Sequence, residues 1–120
     1  MTENTWAADI QRMCKQSAEI LTAAGLLGVV WDEDWSTREA GFLIEVGPAG
    51  ADGENRVLRI KHAMPEEEPV FRGDLSIEQL RVKQLIQVAT YRGVFMASGW
   101  EVELKHGQTG PYILTKPKSP

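Results

Sequence analysis

The sequence predicts an α+β fold, with two helices packed on a mostly antiparallel sheet in the order α-β-β-β-α-β-β. Three observations carry that expectation. One segment at the start of the chain and another from Ile77 repeat their apolar residues with the period of a helix. The segments between and after them alternate apolar and polar residues, or run nearly continuously apolar, as strands do. Clusters of Gly, Pro, Asn and Asp separate the strand segments and read as turns.

The first helix is expected from about Thr5 to Ala24, ending at Gly25. Trp6, Ile10, Met13, Ser17, Ile20, Leu21 and Ala24 form its inner face, opposite Arg12, Lys15, Gln16 and Glu19. Leu26 to Asp32 is apolar on both faces, which predicts a covered strand with Trp31 as its largest anchor. Arg38 to Val46 alternates, with Ala40, Phe42, Ile44 and Val46 on one side and Glu39, Gly41, Leu43 and Glu45 on the other. Asn55 to Ala63 alternates too, with Leu58 and Ile60 opposite Val57, Arg59 and Lys61. The stretch GPAGADGE between these two strands reads as a hairpin loop. Paired, the strands would set Glu39 and Glu45 on one wet face with Arg59 and Lys61.

Met64 to Gly73 holds two prolines and three consecutive acids and is expected to be a loop. Ser76 and Gln79 then form a capping box, flanked by Leu75 and Leu80 at the spacing of a hydrophobic staple. They open a helix over 77–98, and Gly99 can take the left-handed conformation past its end. Trp100, Val102 and Leu104 alternate with Glu101, Glu103 and Lys105; a turn over His106 to Gly110 leads to a last strand, Pro111 to Thr115. Residues 1–116 are expected to be one domain and 117–120 a C-terminal tail. At fold level this element order is similar to that of small secretion-chaperone-like domains, and its first five elements follow the double-stranded-RNA-binding order; no motif accompanies either likeness.

The helix over 77–98 carries two apolar stripes. Val82, Leu85, Ile86, Ala89, Gly93 and Met96 fall on one side; Ile77, Val88, Tyr91 and Phe95 fall on another, with Leu80 at its margin. Arg81 and Arg92 project between the stripes, and Gln79, Lys83, Gln87 and Thr90 make the wet strip. A helix apolar over most of its circumference is covered on two sides. The ordinary covering is a sheet on one stripe and the first helix on the other. The covering that carries a function is a second chain on the Val88–Tyr91–Phe95 stripe.

Composition excludes several classes. With 42% hydrophobic and 25% charged residues the chain is neither disordered nor fibrous, and one cysteine leaves no internal disulfide framework. Met1 to Trp6 lacks a basic and apolar leader, and no apolar run is long enough to span a bilayer, so a cytoplasmic location and no membrane partner are expected. Charge is uneven: before Phe71, 13 acids face 6 bases, and from Phe71 onward 7 bases face 4 acids, for a net −4. Overall acidity argues against strong nonspecific nucleic-acid binding.

The chain carries few residues in chemically suggestive patterns. Cys14 lies at the edge of the first helix's apolar stripe and reads as a structural residue. His62 shares a strand face with Leu58 and Ile60, while His106 sits at a turn, so no zinc pattern arises and no metal or other cofactor is expected. Asp32, Glu33 and Asp34, between Trp31 and Trp35, could do acid–base work or hold a divalent ion, but a solvated turn accounts for them, as it does for Glu66 to Glu68. Trp35 either folds back on the core or offers a contact surface. The helix followed by a hairpin has the layout of a winged helix, with Tyr91, Arg92, Lys105, His106, Lys116 and Lys118 as its contacts.

The sequence therefore points to a small non-enzymatic protein-interaction domain, adaptor or chaperone-like, whose partner is another protein or a second copy. Trp35, Arg81, Val88, Tyr91, Arg92 and Phe95 are its expected interface. The alternative is a nucleic-acid-binding regulator that uses Arg92, Lys105, His106, Lys116 and Lys118.

Overall fold

The computed structural model describes residues 5–47, 57–65, 73 and 76–118. Its elements are α1 (Thr5–Ala23), β1 (Val30–Trp31), β2 (Thr37–Glu39), β3 (Gly41–Val46), β4 (Leu58–Ala63), α2 (Ile77–Ala97), β5 (Trp100–Gly107) and β6 (Gly110–Pro117). The fold is α+β, with both helices packed against an antiparallel sheet of order β3-β4-β6-β5. β1 and β2 form a separate antiparallel ribbon.

Local chemistry sets the helix ends. After α1, Gly25 adopts φ +83°, and the Gly25 and Leu26 amides donate to the Thr22 and Leu21 carbonyls at 2.9 and 3.1 Å. That is a Schellman ending, possible because glycine has no Cβ to clash in the left-handed region. Ser76 caps α2: its hydroxyl accepts from the Glu78 amide at 3.2 Å. At the other end Gly99 turns the chain at φ +84°, and the Trp100 ring lies 5.2 Å from that of Phe95, the contact that accompanies such endings. Leu75, the expected staple residue, lies outside the described residues, as do most of the GPAGADGE loop and Glu66 to Glu68.

Two strand expectations change. Leu26 to Asp32 is not a covered strand: Val30 and Trp31 pair with β2 and are exposed, and Gly28 forms a single parallel bridge to Phe42. The backbone over 27–29 instead crosses the edge of β3, where the Phe42 amide donates to the Leu27 carbonyl and the Val29 amide to the Phe42 carbonyl, both at 3.0 Å. This crossing explains why the expected strand Arg38 to Val46 breaks at Ala40. A Cβ on Gly41 would lie 2.3 Å from the Gly28 carbonyl carbon, so only glycine admits the passing chain. The last strand also extends beyond its expected end, with Pro117 paired to Trp100 and Lys116 to Glu101.

The core lies between the helices and one face of the sheet. Leu21 of α1, Val88, Tyr91 and Phe95 of α2, and Phe42, Leu58, Ile60, Trp100 and Ile113 of the sheet are buried together. Each large apolar side chain so buried stabilises the fold by roughly 1.5–3 kcal/mol. Ser17 is also buried, its hydroxyl donating to the Cys14 carbonyl at 2.8 Å. The opposite face of the sheet is charged. There Glu45 stands between Arg59 and Lys61 at 4.0 and 3.3 Å, while Glu39, expected beside it, belongs to β2.

Candidate functional site

The fold divides the two stripes of α2 in the opposite sense from the sequence expectation. Leu80, Gln84, Val88, Tyr91 and Phe95 face the sheet and are buried. Val88, Tyr91 and Phe95, expected as interface anchors, are 0%, 2% and 0% exposed and belong to the core of the chain itself. The reason is volume: the two aromatic rings of this stripe fill the space over the sheet, where small residues of the other stripe would leave voids. The outward stripe is the other one, with Val82, Ile86 and Met96 at 58%, 59% and 55% exposure. Ala89 and Gly93 lie open between them.

Of the remaining expected contacts, Trp35 stands outside the core at 79% exposure, in the turn between β1 and β2. Its backbone takes φ +61°, a left-handed conformation rare outside glycine. Asp32 holds that turn: one carboxylate oxygen accepts from the Asp34 and Ser36 amides at 2.8 and 2.9 Å. Among the described residues no group of three potential ligands is placed to hold a metal ion.

The expected nucleic-acid contacts are divided between α2 and the β5–β6 hairpin with the residue just beyond it. Arg92 is exposed on α2, in the helical layer. Lys105 and Lys116 lie on the sheet, bonded to Glu103 and Glu101 at 2.8 and 3.7 Å. The Glu103 carboxylate raises the Lys105 pKa while taking up its charge. His106 and Lys118 are exposed on the β5–β6 hairpin and beyond β6. Cys14 is half-buried, and desolvation raises its pKa, which disfavours a nucleophilic thiolate.

A feature that the sequence did not announce lies at one end of the sheet. The β3–β4 ladder runs through Ala63 and the β5–β6 ladder through Gly110, but β4 and β6 pair only over Leu58–Ile60 and Ile113–Thr115. The two hairpins therefore part beyond Ile60. Pro111, which faces His62 if the register is extended, has no N–H to give to a ladder. A cleft of about 430 Å³ opens there, with Trp31, Leu43, Ile77, Leu80 and Pro111 among its walls.

Polar groups converge on it from α2. The Gln84 amide donates to the His62 carbonyl at 3.5 Å, and its oxygen accepts from Arg81 Nη1 at 3.0 Å. Arg81 Nη2 reaches the Gln108 carbonyl at 3.2 Å. Gly110 makes this packing possible, since a Cβ there would lie 2.9 Å from the Gln84 oxygen and 3.1 Å from Arg81 Nη1. Behind the cleft the Tyr91 hydroxyl sits 2.5 Å from His62 Nδ1.

No known protein family, curated protein or solved structure matches this chain. Its geometry must carry the functional reading. Among the described residues no helix is long and apolar enough to cross a membrane. Sequence reasoning named Arg81 but missed Gln84, Pro111 and the role of Trp31. One signal was present: Gln84 sits four residues from both Leu80 and Val88, so a polar side chain interrupts the buried stripe. Such an interruption marks a buried hydrogen-bonded group.

Proposed function

We propose that this protein is a non-enzymatic interaction domain that self-associates through the outward stripe of α2. The observation that supports this reading is the spacing of that stripe. Val82, Ile86, Ala89, Gly93 and Met96 recur at intervals of four, three, four and three, the repeat of a helix–helix seam. The seam is also self-complementary when reversed. Two α2 helices crossing antiparallel at Ala89 would set Val82 against Met96 and Ile86 against the open Gly93 of the second copy. This is the reciprocal pattern of a two-fold interface. Lys83, Thr90 and Arg92 would form its polar rim.

Sedimentation velocity over about a hundredfold dilution tests the proposal. The expected result is a dimer at the upper end that dissociates on dilution, and an Ile86→Arg variant that stays monomeric with its melting temperature within a few degrees of wild type. A wild-type chain that is monomeric throughout would overturn self-association.

A further inference from the structure

We propose that the cleft at the parted end of the sheet binds a small organic carboxylate with an apolar body, anchored by the Arg81 guanidinium. This site is independent of the outward stripe of α2 and stands whether or not the chain dimerises.

Arg81 is half-buried, and among the described residues its hydrogen bonds go to neutral acceptors, the Gln84 amide oxygen and the Gln108 carbonyl. Among the described residues no carboxylate pairs with it, and no Asp or Glu lines the cleft. Partly desolvated guanidinium groups ordinarily meet a carboxylate or phosphate. Lys61, at the same cleft, follows that pattern through Glu45 at 3.3 Å. Among the described residues two of the five N–H groups of Arg81 find acceptors, and those bonds fix the plane of the fork while leaving donors for a ligand. A cation held in place before its anion arrives loses little side-chain entropy on binding.

The walls define the rest of the ligand. Trp31, Leu43, Ile77, Leu80 and Pro111 are apolar, and a volume near 430 Å³ suits a molecule of fragment size. One guanidinium against an apolar wall matches a monocarboxylate carrying an aryl or short alkyl group. A free phosphate dianion would find Arg81 and a lysine, Lys61, already paired with Glu45, and would have no use for the apolar wall. The carboxylate would take the remaining Arg81 donors, and the ring would lie toward Trp31.

Isothermal titration with 3-phenylpropionate tests the site, with 3-phenylpropanamide and inorganic phosphate as comparisons. The carboxylate is expected to bind saturably and about tenfold or more tightly than the neutral amide, the loss that follows from removing a charge-assisted hydrogen bond. Arg81→Met should weaken the carboxylate by a similar factor and leave the amide unchanged. Arg81→Lys, which keeps the charge but loses the fork, should fall between. Binding is expected to change tryptophan fluorescence through Trp31 in the cleft wall, and Trp31→Phe should abolish that change. The comparison of acid, amide and phosphate on the wild-type chain decides the matter even where a variant fails to fold. Equal binding of acid and amide, saturation by phosphate alone, or no saturation by phenylpropionate at about 10 mM would each overturn the assignment.

Discussion

The Tyr91 hydroxyl meets Nδ1 of His62 at 2.5 Å, joining the middle of α2 to β4 inside the core. Both side chains are buried, and the rings lie 5.8 Å apart. A polar pair at this position does what an apolar pair cannot: its directionality sets the rotation of the helix over the sheet. It also explains how His62, on the inner face of β4, satisfies Nδ1 away from water.

Tyr91→Phe keeps the ring and removes that bond. The expected cost is about 1–3 kcal/mol, measured by urea denaturation at neutral pH. The wild-type chain should also weaken more steeply at alkaline pH than the variant, which keeps the raised pKa values of Cys14 and Lys105 but not that of Tyr91. Burial pushes the Tyr91 phenol well above its ordinary pKa, whereas in the unfolded chain it ionises near 10. Below that pH both states hold the proton and nothing changes. Above it the unfolded state sheds a proton that the native state keeps, so stability falls, by at most about 1.4 kcal/mol per pH unit. Denaturation curves for both chains on either side of pH 10 give the difference directly.

Phe95→Ala should cost about 3–5 kcal/mol, because the ring is fully buried against Trp100 and its loss leaves a cavity. Phe95→Arg should unfold the chain, whereas a charge at Ile86 should leave thermal stability almost unchanged. Circular dichroism melts of the two arginine variants separate the core stripe from the outward one.

Gly41→Ala tests the crossing of residues 27–29 over β3. A methyl group there would overlap backbone atoms of Gly28 and Val29 at 2.3 and 2.4 Å, which no side-chain rotation relieves. The crossing segment should detach, with faster amide hydrogen exchange at Val29 and Phe42, while the β5–β6 hairpin stays protected.

Ser76→Ala removes the cap of α2 and should cost about 1 kcal/mol in a denaturant titration. Ser76→Gly should cost only a few tenths of that scale.

Much of this architecture was legible because it is written locally. Gly25 and Gly99 end their helices as the sequence predicts, Ser76 caps α2, and Leu58 and Ile60 face inward while Arg59 and Lys61 face outward. Each of these depends on a few neighbouring residues and on the fixed period of a helix or strand. The candidate sites were less legible. Arg81 was recognisable as an unusual residue, but its neutral partners come from residues 84 and 108, and the second of these is brought near only by the β5–β6 hairpin.

The sequence by itself determined the element order, the helix ends and the alternation of the strands, because propensity, capping and periodicity act over a few residues. Only the tertiary structure decided which stripe of α2 is covered. Both stripes have helical spacing, and the choice rests on fitting Tyr91 and Phe95 over the sheet and on pairing Tyr91 with His62, 29 residues earlier. It also decided where the sheet parts. Pro111 is visible in the sequence, but its missing N–H matters only once β6 lies beside β4, and that pairing is set by packing between residues far apart in the chain.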